Sequence, residues 1–207
     1  MGELIIIRHG ETEWSRSGRH TSHTDLPLTD LGERQARALV PLLAERRIGL
    51  TLVSPLLRAR RTAELAGLAG PRVVPELREW DYGAYEGVTT EEIHATRPGW
   101  NLWHDGVEPG QDPGHPGEDP VEVGARADHV LDMVRASLGE VGDGDIALVA
   151  HSHVLRVLTA RYLRMTPAGG ALFQLATGAV SRLGTEHGQP VITAWNVALP
   201  EGLLDRA

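Results

Sequence analysis

The chain has 207 residues, a mass of 22.4 kDa and a formal net charge of −8 at pH 7. All 20 basic residues are arginine, and lysine and cysteine are absent, which excludes lysine Schiff bases, Walker-type phosphate loops, thiolate nucleophiles and disulfides. The acidic balance argues against a nucleic-acid partner, and the lack of a leader or of a roughly 18-residue apolar run predicts a cytoplasmic protein without a membrane span.

Strand and helix patterns alternate along the chain, which is typical of a three-layer α/β/α sandwich with a mainly parallel central sheet. The apolar run LIII at residues 4–7 predicts a buried first strand, whose carboxyl end carries Arg8 and His9. Gly10 then allows backbone or ligand to come close. Further strands are predicted at residues 50–53, 73–74, 146–150, 173–175, 180–183 and 191–194.

Residues 13–28 are predicted to form a polar loop that leads into a helix. Thr29 or Asp30 opens this helix, and Glu33 has the spacing of a capping-box partner for Asp30. Pro41 lies within the apolar stripe and should kink or shorten the helix. Further helices are predicted at residues 57–68, 123–138 and 154–163.

Residues 106–120 are rich in proline, glycine and acidic side chains, which predicts an irregular segment that covers another part of the molecule. We therefore expect a single domain over residues 1–207 with a lid insertion at about 88–120. Trp100 and Trp103 flank this lid, where they would either cover a ligand or pack into the core.

Polar side chains follow four of the predicted strands. Taken alone, Arg8 and His9 would be the polar cap of a core strand, but Arg58, Glu79 and His151 stand at matching positions. Because strand ends of this kind lie at one edge of a doubly wound sheet, two arginines, two histidines and a carboxylate are expected to share a pocket. This set of residues indicates phosphoryl transfer.

Each residue type in the set suits one requirement of that chemistry. The planar forks of Arg8 and Arg58 can clamp phosphoryl oxygens. A histidine whose pKa is lowered by nearby guanidinium groups stays neutral and nucleophilic, and a second imidazole can donate to the transferring oxygens. Glu79 can protonate the leaving alkoxide, and the backbone N–H groups that open the helix after His151 can bind the oxyanion.

The chain resembles the histidine phosphatase superfamily, which includes the cofactor-dependent phosphoglycerate mutases. The motif RHGET at residues 8–12 resembles the family signature, and SPLLRARRT at residues 54–62 resembles its second motif. The resemblance implies that His9 is the phosphorylated nucleophile, Arg58 a phosphate ligand, Glu79 the proton donor and His151 the second catalytic histidine. It also implies two-step hydrolysis without a metal or cofactor.

The segments TEWS at residues 12–15, TDLPLT at 24–29 and EWDYGAYEG at 79–87, with Trp100 and Trp103, look most like the small-molecule acid phosphatases and the sedoheptulose-1,7-bisphosphatase-like branch. The positions that match the family's substrate side are Ser15, Thr21, Ser22, Tyr82 and Ser152. Ser15 replaces the asparagine that mutases place near the phosphate, which favours a phosphatase. Ser152 stands where the family usually has glycine, so either its dihedral angles suit any residue or the pocket is tighter.

Three functions are consistent with these residues. The first is a phosphomonoesterase for a small phosphorylated metabolite, such as a sugar phosphate or bisphosphate. The second is a phosphoglycerate mutase, and the third is a non-catalytic sensor of a phosphorylated ligand. His20 with His23, or His151 with His153, could be metal-ligand pairs, but no third ligand is identifiable and no metal is predicted. Apolar stretches at residues 173–180 make a homodimer possible.

Overall fold

The computed structural model describes residues 2–198. Its six-stranded sheet has the order β3-β2-β4-β1-β5-β6. The strands β1 to β4 are parallel, whereas β5 pairs antiparallel with β1 and β6 antiparallel with β5. The strands are β1 (Leu4–Arg8), β2 (Ile48–Val53), β3 (Arg72–Val73), β4 (Asp145–Ala150), β5 (Val180–Glu186) and β6 (Gln189–Val197).

Helices cover both faces of the sheet, which confirms the predicted α/β architecture with a mainly parallel sheet. Ile5 and Ile7 pack with side chains of α3 and α4, whereas Leu4 and Ile6 pack on the other face with α7 and α8. The helices are α1 (Glu13–Ser17), α2 (Asp30–Arg37), α3 (Leu39–Leu43), α4 (Leu57–Leu65), α5 (Thr90–Thr96), α6 (Leu102–Asp105), α7 (Pro120–Val141) and α8 (Ser152–Tyr162). Within residues 2–198, every helix is too short or too polar to cross a bilayer.

The beginning of the predicted polar loop is helical instead. Thr12 caps α1, since its side chain accepts a hydrogen bond from the backbone of Ser15 while the Ser15 hydroxyl accepts one from the backbone of Thr12. This reciprocal pair is a capping box that uses serine in place of the usual glutamate or glutamine. The prediction of a loop over all of residues 13–28 was therefore wrong at its start.

The cap of α2 also differs from one expectation. Thr29 is the N-cap and accepts from the backbone of Gly32, whereas Glu33 pairs with Arg37 at 2.7 Å and with Arg61 at 3.1 Å. The capping box between Asp30 and Glu33 was therefore wrong. The break expected from Pro41 is present, because the helix ends at Arg37 and restarts at Leu39.

The predicted strand at residues 173–175 is absent. Residues 173–178 follow a 3₁₀ turn, Pro167–Leu172, and form neither strand nor helix. The carbonyl oxygen of Leu175 accepts a hydrogen bond of 2.6 Å from Nη1 of Arg8. This bond ties the segment to the side chain of Arg8, and none of residues 173–178 pairs with a strand.

The lid region at residues 88–120 contains two short helices, α5 and α6, whereas residues 106–119 are irregular, as expected. Trp100 and Trp103 are buried in the core. Trp103 packs edge-on against Trp80, with ring centroids 5.8 Å apart, and Nε1 of Trp100 donates to the carbonyl of Gly106 at 2.8 Å. Both tryptophans therefore anchor the lid to the core.

Candidate active site

A cavity of about 240 Å³ opens at the carboxyl edge of the sheet. Most of the strand ends predicted to meet do meet here, together with residues of the α1 loop and of α8. Its lining residues are Arg8, His9, Ser15, Gly18, Arg19, His20, Thr21, Glu79, Tyr82, Thr90, Ser152 and His153.

His9 is held in one orientation and one tautomer. Its Nδ1 lies 2.7 Å from the carbonyl oxygen of Gly10. A carbonyl only accepts hydrogen bonds, so Nδ1 must carry the proton and Nε2 keeps a free lone pair. The imidazole therefore presents a nucleophilic nitrogen on the side away from its own backbone.

Gly10 allows the backbone to turn in this way, because the chain passes very close to the start of α2. A Cβ on Gly10 would lie 2.2 Å from the carbonyl oxygen of Gly32. The backbone N–H of Gly10 also donates to Oγ1 of Thr62, at 3.0 Å. The expectation that Gly10 allows close approach is correct, and the group that approaches is backbone.

His151 is fully buried beside His9, with ring centroids 5.1 Å apart. Nε of Arg58 donates to its Nδ1 at 3.1 Å, so Nδ1 is unprotonated. Nε2 then carries the proton and donates to Oγ of Ser54 at 2.7 Å. The sequence placed Ser54 and Arg58 at the same strand end but gave no sign of this chain of hydrogen bonds.

Both imidazoles are neutral near pH 7. Burial is the main reason that the pKa of His9 lies well below its usual value, and the charges of Arg58 and Arg8 lower it further. Burial, followed by Arg58, also places the pKa of His151 well below its usual value. This agrees with the expectation that guanidinium groups keep a nucleophilic histidine unprotonated.

Arg58 lies behind His151 and does not line the cavity. It is fully buried, and besides the bond to His151 its Nη atoms donate to the carbonyls of Thr21, Ser22 and Thr24 at 3.0–3.1 Å. Four of its five N–H groups therefore bind protein. Its role as a direct phosphate ligand stays a prediction, while its contacts show that it positions His151 and the loop at residues 21–24.

Arg8, by contrast, faces the cavity with one hydrogen-bonding group unused. Its Nη1 donates to Leu175, but its buried Nε has no partner among the residues that the structure describes. A buried N–H without an acceptor is costly. An oxygen of an anionic ligand would satisfy it.

Glu79 lies at the N-terminus of α8. Its Oε1 accepts from the backbone N–H groups of Trp80 and Val154, both at 2.9 Å, and its Oε2 accepts from that of His153 at 3.0 Å. An ionised carboxylate has about four acceptor positions. One position on Oε2 is therefore left for a proton or a substrate.

The five predicted substrate-side residues divide into two groups. Thr21, Tyr82 and Ser152 line the cavity. Ser15 also lines it, but its hydroxyl is engaged in the cap of α1. Ser22 lies outside this cavity and lines a neighbouring one, and its hydroxyl donates to Glu86 at 2.8 Å. Ser152 is the first residue of α8 and is absent from the residues with positive φ, so its dihedral angles suit any residue.

The predicted site residues did not include five that line the cavity, namely Gly18, Arg19, His20, Thr90 and His153. His153 was named only as a candidate metal ligand, and its Nδ1 lies 2.6 Å from the hydroxyl of Tyr82 at the cavity wall. His20 was considered only as a metal ligand, and its Nδ1 lies 2.6 Å from the carbonyl of Val88. Arg19 had no motif to identify it. Outside this cavity, His23, Asp81 and His115 are the groups among the described residues that could hold a metal ion.

Comparison with known proteins identifies a family that matches nearly the whole chain and several similar proteins. The model of the histidine phosphatase superfamily, branch 1, matches residues 4–198. An acid phosphatase of Mycobacterium tuberculosis is 37% identical over 187 residues, which cover 89% of this chain and 87% of that protein. A sedoheptulose 1,7-bisphosphatase of Saccharomyces cerevisiae is 37% identical over 184 residues, covering 75% of this chain and 65% of that protein.

A solved structure of an open reading frame from Mycobacterium tuberculosis has the same fold. It superposes with a TM-score of 0.85 at 35% sequence identity, and the match covers 95% of this chain and 98% of that one. The likeness of fold therefore extends over nearly the whole of both chains.

Proposed function

Because the chain belongs to branch 1 of the histidine phosphatase superfamily and is a phosphatase, we propose that it hydrolyses a small phosphorylated metabolite through a phosphohistidine on His9. The observation that carries this proposal is the hydrogen bond from Nδ1 of His9 to the carbonyl of Gly10. It leaves the lone pair of Nε2 free, on an imidazole that burial and two arginines keep neutral.

The first step transfers the phosphoryl group to the enzyme. Nε2 of His9 forms a bond to phosphorus while the bond from phosphorus to the ester oxygen breaks. A protonated Glu79 gives its proton to the departing alkoxide from the free position on Oε2. The N–H of His9 stays on Nδ1, where the Gly10 carbonyl stabilises the positive charge that the phosphorylated ring carries.

The second step regenerates the enzyme. A water molecule attacks phosphorus and gives its proton to Glu79, the N–P bond breaks, and inorganic phosphate leaves. We assign the phosphoryl oxygens to the guanidinium of Arg8, which lines the cavity. The N–H groups of His153 and Val154 at the start of α8 are already bonded to Glu79 and do not add to this site. Arg58 fixes the orientation of His151 beside His9, and His151 could donate to the same oxygens only if its Nε2 N–H turned away from Ser54.

The leaving group would occupy the side of the cavity formed by Arg19, His20, Thr21 and Tyr82. Hydroxyl, imidazole and guanidinium groups of this kind suit a polyhydroxylated substrate. The similarity to a protein named sedoheptulose 1,7-bisphosphatase points the same way. We therefore propose a sugar phosphate or bisphosphate as the substrate class.

Neither alternative function has comparable support. A mutase must hold its substrate while the phosphoryl group returns to it, yet the hydroxyl of Ser15, where mutases have asparagine, is engaged in a helix cap. A non-catalytic sensor has no need for a free lone pair on His9. Lack of conversion of 3-phosphoglycerate to 2-phosphoglycerate in the presence of bisphosphoglycerate would exclude the mutase.

The test is a phosphatase screen over sugar phosphates, phosphoglycerates and phosphopeptides, with and without EDTA. Wild type should be active in EDTA, His9→Ala inactive, and the exposed-site control His104→Ala as active as wild type. An acid-labile, base-stable phosphoenzyme should form only when His9 is present. Hydrolysis that survives His9→Ala, or that EDTA abolishes, would contradict the mechanism.

Three organisational features remain proposals. One domain over residues 1–207 with a lid at about 88–120 is consistent with the continuous cores of residues 2–198, although residues 199–207 lie outside the described part. A homodimer is supported by the edge position of β6 and by Leu172, which is 74% exposed; light scattering after gel filtration tests it. A cytoplasmic location is proposed from the substrate class, and cell fractionation tests it.

A further inference from the structure

A second cavity of about 400 Å³ adjoins the catalytic one, and Glu79 lines both. His23, Asp81 and His115 line this second cavity and are not used by the proposed reaction. One side-chain ligand atom from each lies within 4.8 Å of the others. The sequence paired His23 with His20, but the fold brings it to two groups that are distant along the chain.

His23 has one nitrogen available. Burial raises the pKa of Glu86, but the N–H and O–H groups of Ser22 and Thr24 that bond its carboxylate outweigh this, so the net pKa is lowered and Glu86 is ionised. The Ser22 hydroxyl therefore donates to Glu86 at 2.8 Å and accepts from Nδ1 of His23 at 3.1 Å. Nε2 of His23 is then left with a free lone pair. An imidazole oriented by a bond on its other nitrogen is typical of metal ligands.

Asp81 is fixed in a similar manner. Its Oδ1 accepts from the backbone N–H of Gly83 at 3.0 Å, and its own backbone N–H donates to Glu118 at 2.9 Å. Its Oδ2 faces Nδ1 of His115 across 3.7 Å, which is too long for a hydrogen bond. This carboxylate oxygen is therefore directed at an imidazole that it does not bond.

The lid carries His115 to this place through backbone contacts. Glu108 accepts from the N–H of Ala84 at 2.9 Å, and Glu118 donates to the carbonyl of Asp81 at 2.9 Å. These bonds hold both ends of the irregular segment against residues 81–84. The His115 ring stacks on that of His23, with centroids 3.8 Å apart and planes 12° from parallel.

We propose that His23, Asp81 and His115 bind a divalent transition-metal ion of the zinc type, which joins the lid to the loops of the catalytic cavity. Two imidazoles and a carboxylate are a common zinc ligand set, with water in the fourth position. Ligand atoms on tetrahedral zinc lie about 3.3 Å apart at bonds of about 2.0–2.1 Å. The ligand atoms here lie within 4.8 Å of one another and the two imidazole planes are 12° from parallel, so the rings must turn toward each other to close the site on an ion. The ion takes no part in phosphoryl transfer, which relies on Arg8 and Arg58.

Isothermal titration of the metal-free full-length protein with Zn²⁺ tests the site. Wild type should bind one ion, and His23→Ala, Asp81→Asn and His115→Ala should each weaken binding more than about tenfold. His129→Ala is the matched control, because Nδ1 of His129 also lies 3.7 Å from a carboxylate oxygen, that of Glu76, without a second imidazole. It should bind as wild type does. Mg²⁺ should not compete, since it prefers oxygen ligands.

The His9→Ala variant separates this proposal from the proposed function. It should lose phosphatase activity and retain the zinc site. Zinc binding that is lost in His9→Ala and retained in His115→Ala would place the ion in the catalytic cavity and overturn the proposal. The absence of 1:1 binding by wild type, or equal binding by all three ligand variants, would overturn it as well. Circular dichroism of each variant establishes that it is folded.

Discussion

Nε of Arg58 donates to Nδ1 of His151 across 3.1 Å, and through this bond the second motif of the chain controls the tautomer of a histidine 93 residues away. The two Nη groups of the same guanidinium donate hydrogen bonds to three carbonyls of the loop at residues 21–24. Arg58 therefore connects His151, the imidazole beside the nucleophile His9, to the loop that forms part of the cavity wall. This connection depends on the planar, forked shape of the guanidinium as well as on its charge.

Replacing this fork with an ammonium group tests that relationship. We expect Arg58→Lys to lower kcat/KM by at least about a hundredfold, because one ammonium cannot reach His151 and three carbonyls at once. Steady-state kinetics on the best substrate of the screen, with Tm measured in parallel, provide the comparison. Arg60→Lys, at an exposed position of the same helix, should match wild type. An Arg58→Lys enzyme within threefold of wild type would refute the positioning role.

The decrease of kcat/KM at low pH, the acid limb of the profile, should report protonation of His9 in the free enzyme. Burial and the charges of Arg58 and Arg8 lower its pKa, so activity should fall only well below pH 6.5, the ordinary value. Arg8→Gln removes one cation, which makes the imidazolium less unfavourable, so the limb should move to higher pH. Arg8→Lys keeps the charge and should leave the limb near its wild-type position. Equal shifts in both variants would mean that charge is not the cause.

Stability should also decrease in mild acid. Burial lowers the pKa of His9, His20, His151 and His153, so the unfolded chain binds protons near pH 6.5 that the folded chain does not. Their contribution to stability is complete above about pH 6.5 and is lost as the pH falls toward the folded-state values, at no more than about 1.4 kcal/mol per pH unit for each histidine. The carboxylates of lowered pKa, Glu33, Glu86 and Glu92, act below about pH 4.5 and do not affect this window.

Urea unfolding at pH 7.5, 6.5 and 5.5 measures this dependence. His153→Gln should reduce the slope of the unfolding free energy against pH between pH 6.5 and 5.5 by less than one proton's worth, below about 1.4 kcal/mol per pH unit, since one buried imidazole has been removed. His104→Gln, at an exposed position, should leave the slope unchanged. A slope that is the same in all three proteins would show that the buried imidazoles are not responsible.

Much of the site could be predicted from the sequence, because strand ends are marked by where apolar runs stop. Arg8, His9, Glu79 and His151 follow such runs or a motif of fixed spacing, and the parallel sheet brings their strands together. The same local signals gave most of the helices, with the break before Pro41. Such features depend on neighbours in the chain, which is why a single sequence reveals them.

Features that depend on distant partners could not be read in this way. The segment at residues 173–175 was predicted as a strand, but a carbonyl in it binds Arg8, 167 residues earlier. The bond between Tyr82 and His153 spans 71 residues, and the contact between Asp81 and His115 crosses the lid. No periodicity or local motif encodes these pairs.

Glu79→Gln tests the proton donor. We expect kcat to fall by about 10²–10⁴ for alkyl phosphates, because the amide has no acidic proton for the leaving oxygen. The loss should be much smaller for p-nitrophenyl phosphate, whose leaving group departs without protonation. Glu76→Gln, on the same segment, should change neither rate. An equal loss on both substrates would indicate a purely structural role for Glu79.

The loss of rate in Glu79→Gln must be separated from the effect of the same substitution on the stability of the fold. Both oxygens of Glu79 accept backbone N–H groups, and an amide nitrogen facing one of these donors leaves it unsatisfied at a cost of about 1–3 kcal/mol. A drop in Tm is therefore expected together with the substrate-dependent loss of rate. Only the dependence on leaving group separates the two roles.

The close approach of two backbones beside His9 gives a final prediction. A Cβ on Gly10 would lie 2.2 Å from the carbonyl oxygen of Gly32, so Gly10→Ala must push α2 away or shift His9. Shifts of about 1 Å at a nucleophile can cost about a hundredfold in rate, and we expect such a loss together with a lower Tm. Gly139→Ala, within α7 and with no atom within 4 Å of the added Cβ, is the control and should raise stability by about 0.5–1 kcal/mol. If Gly10→Ala retained wild-type kcat/KM, the position of His9 would not depend on this contact.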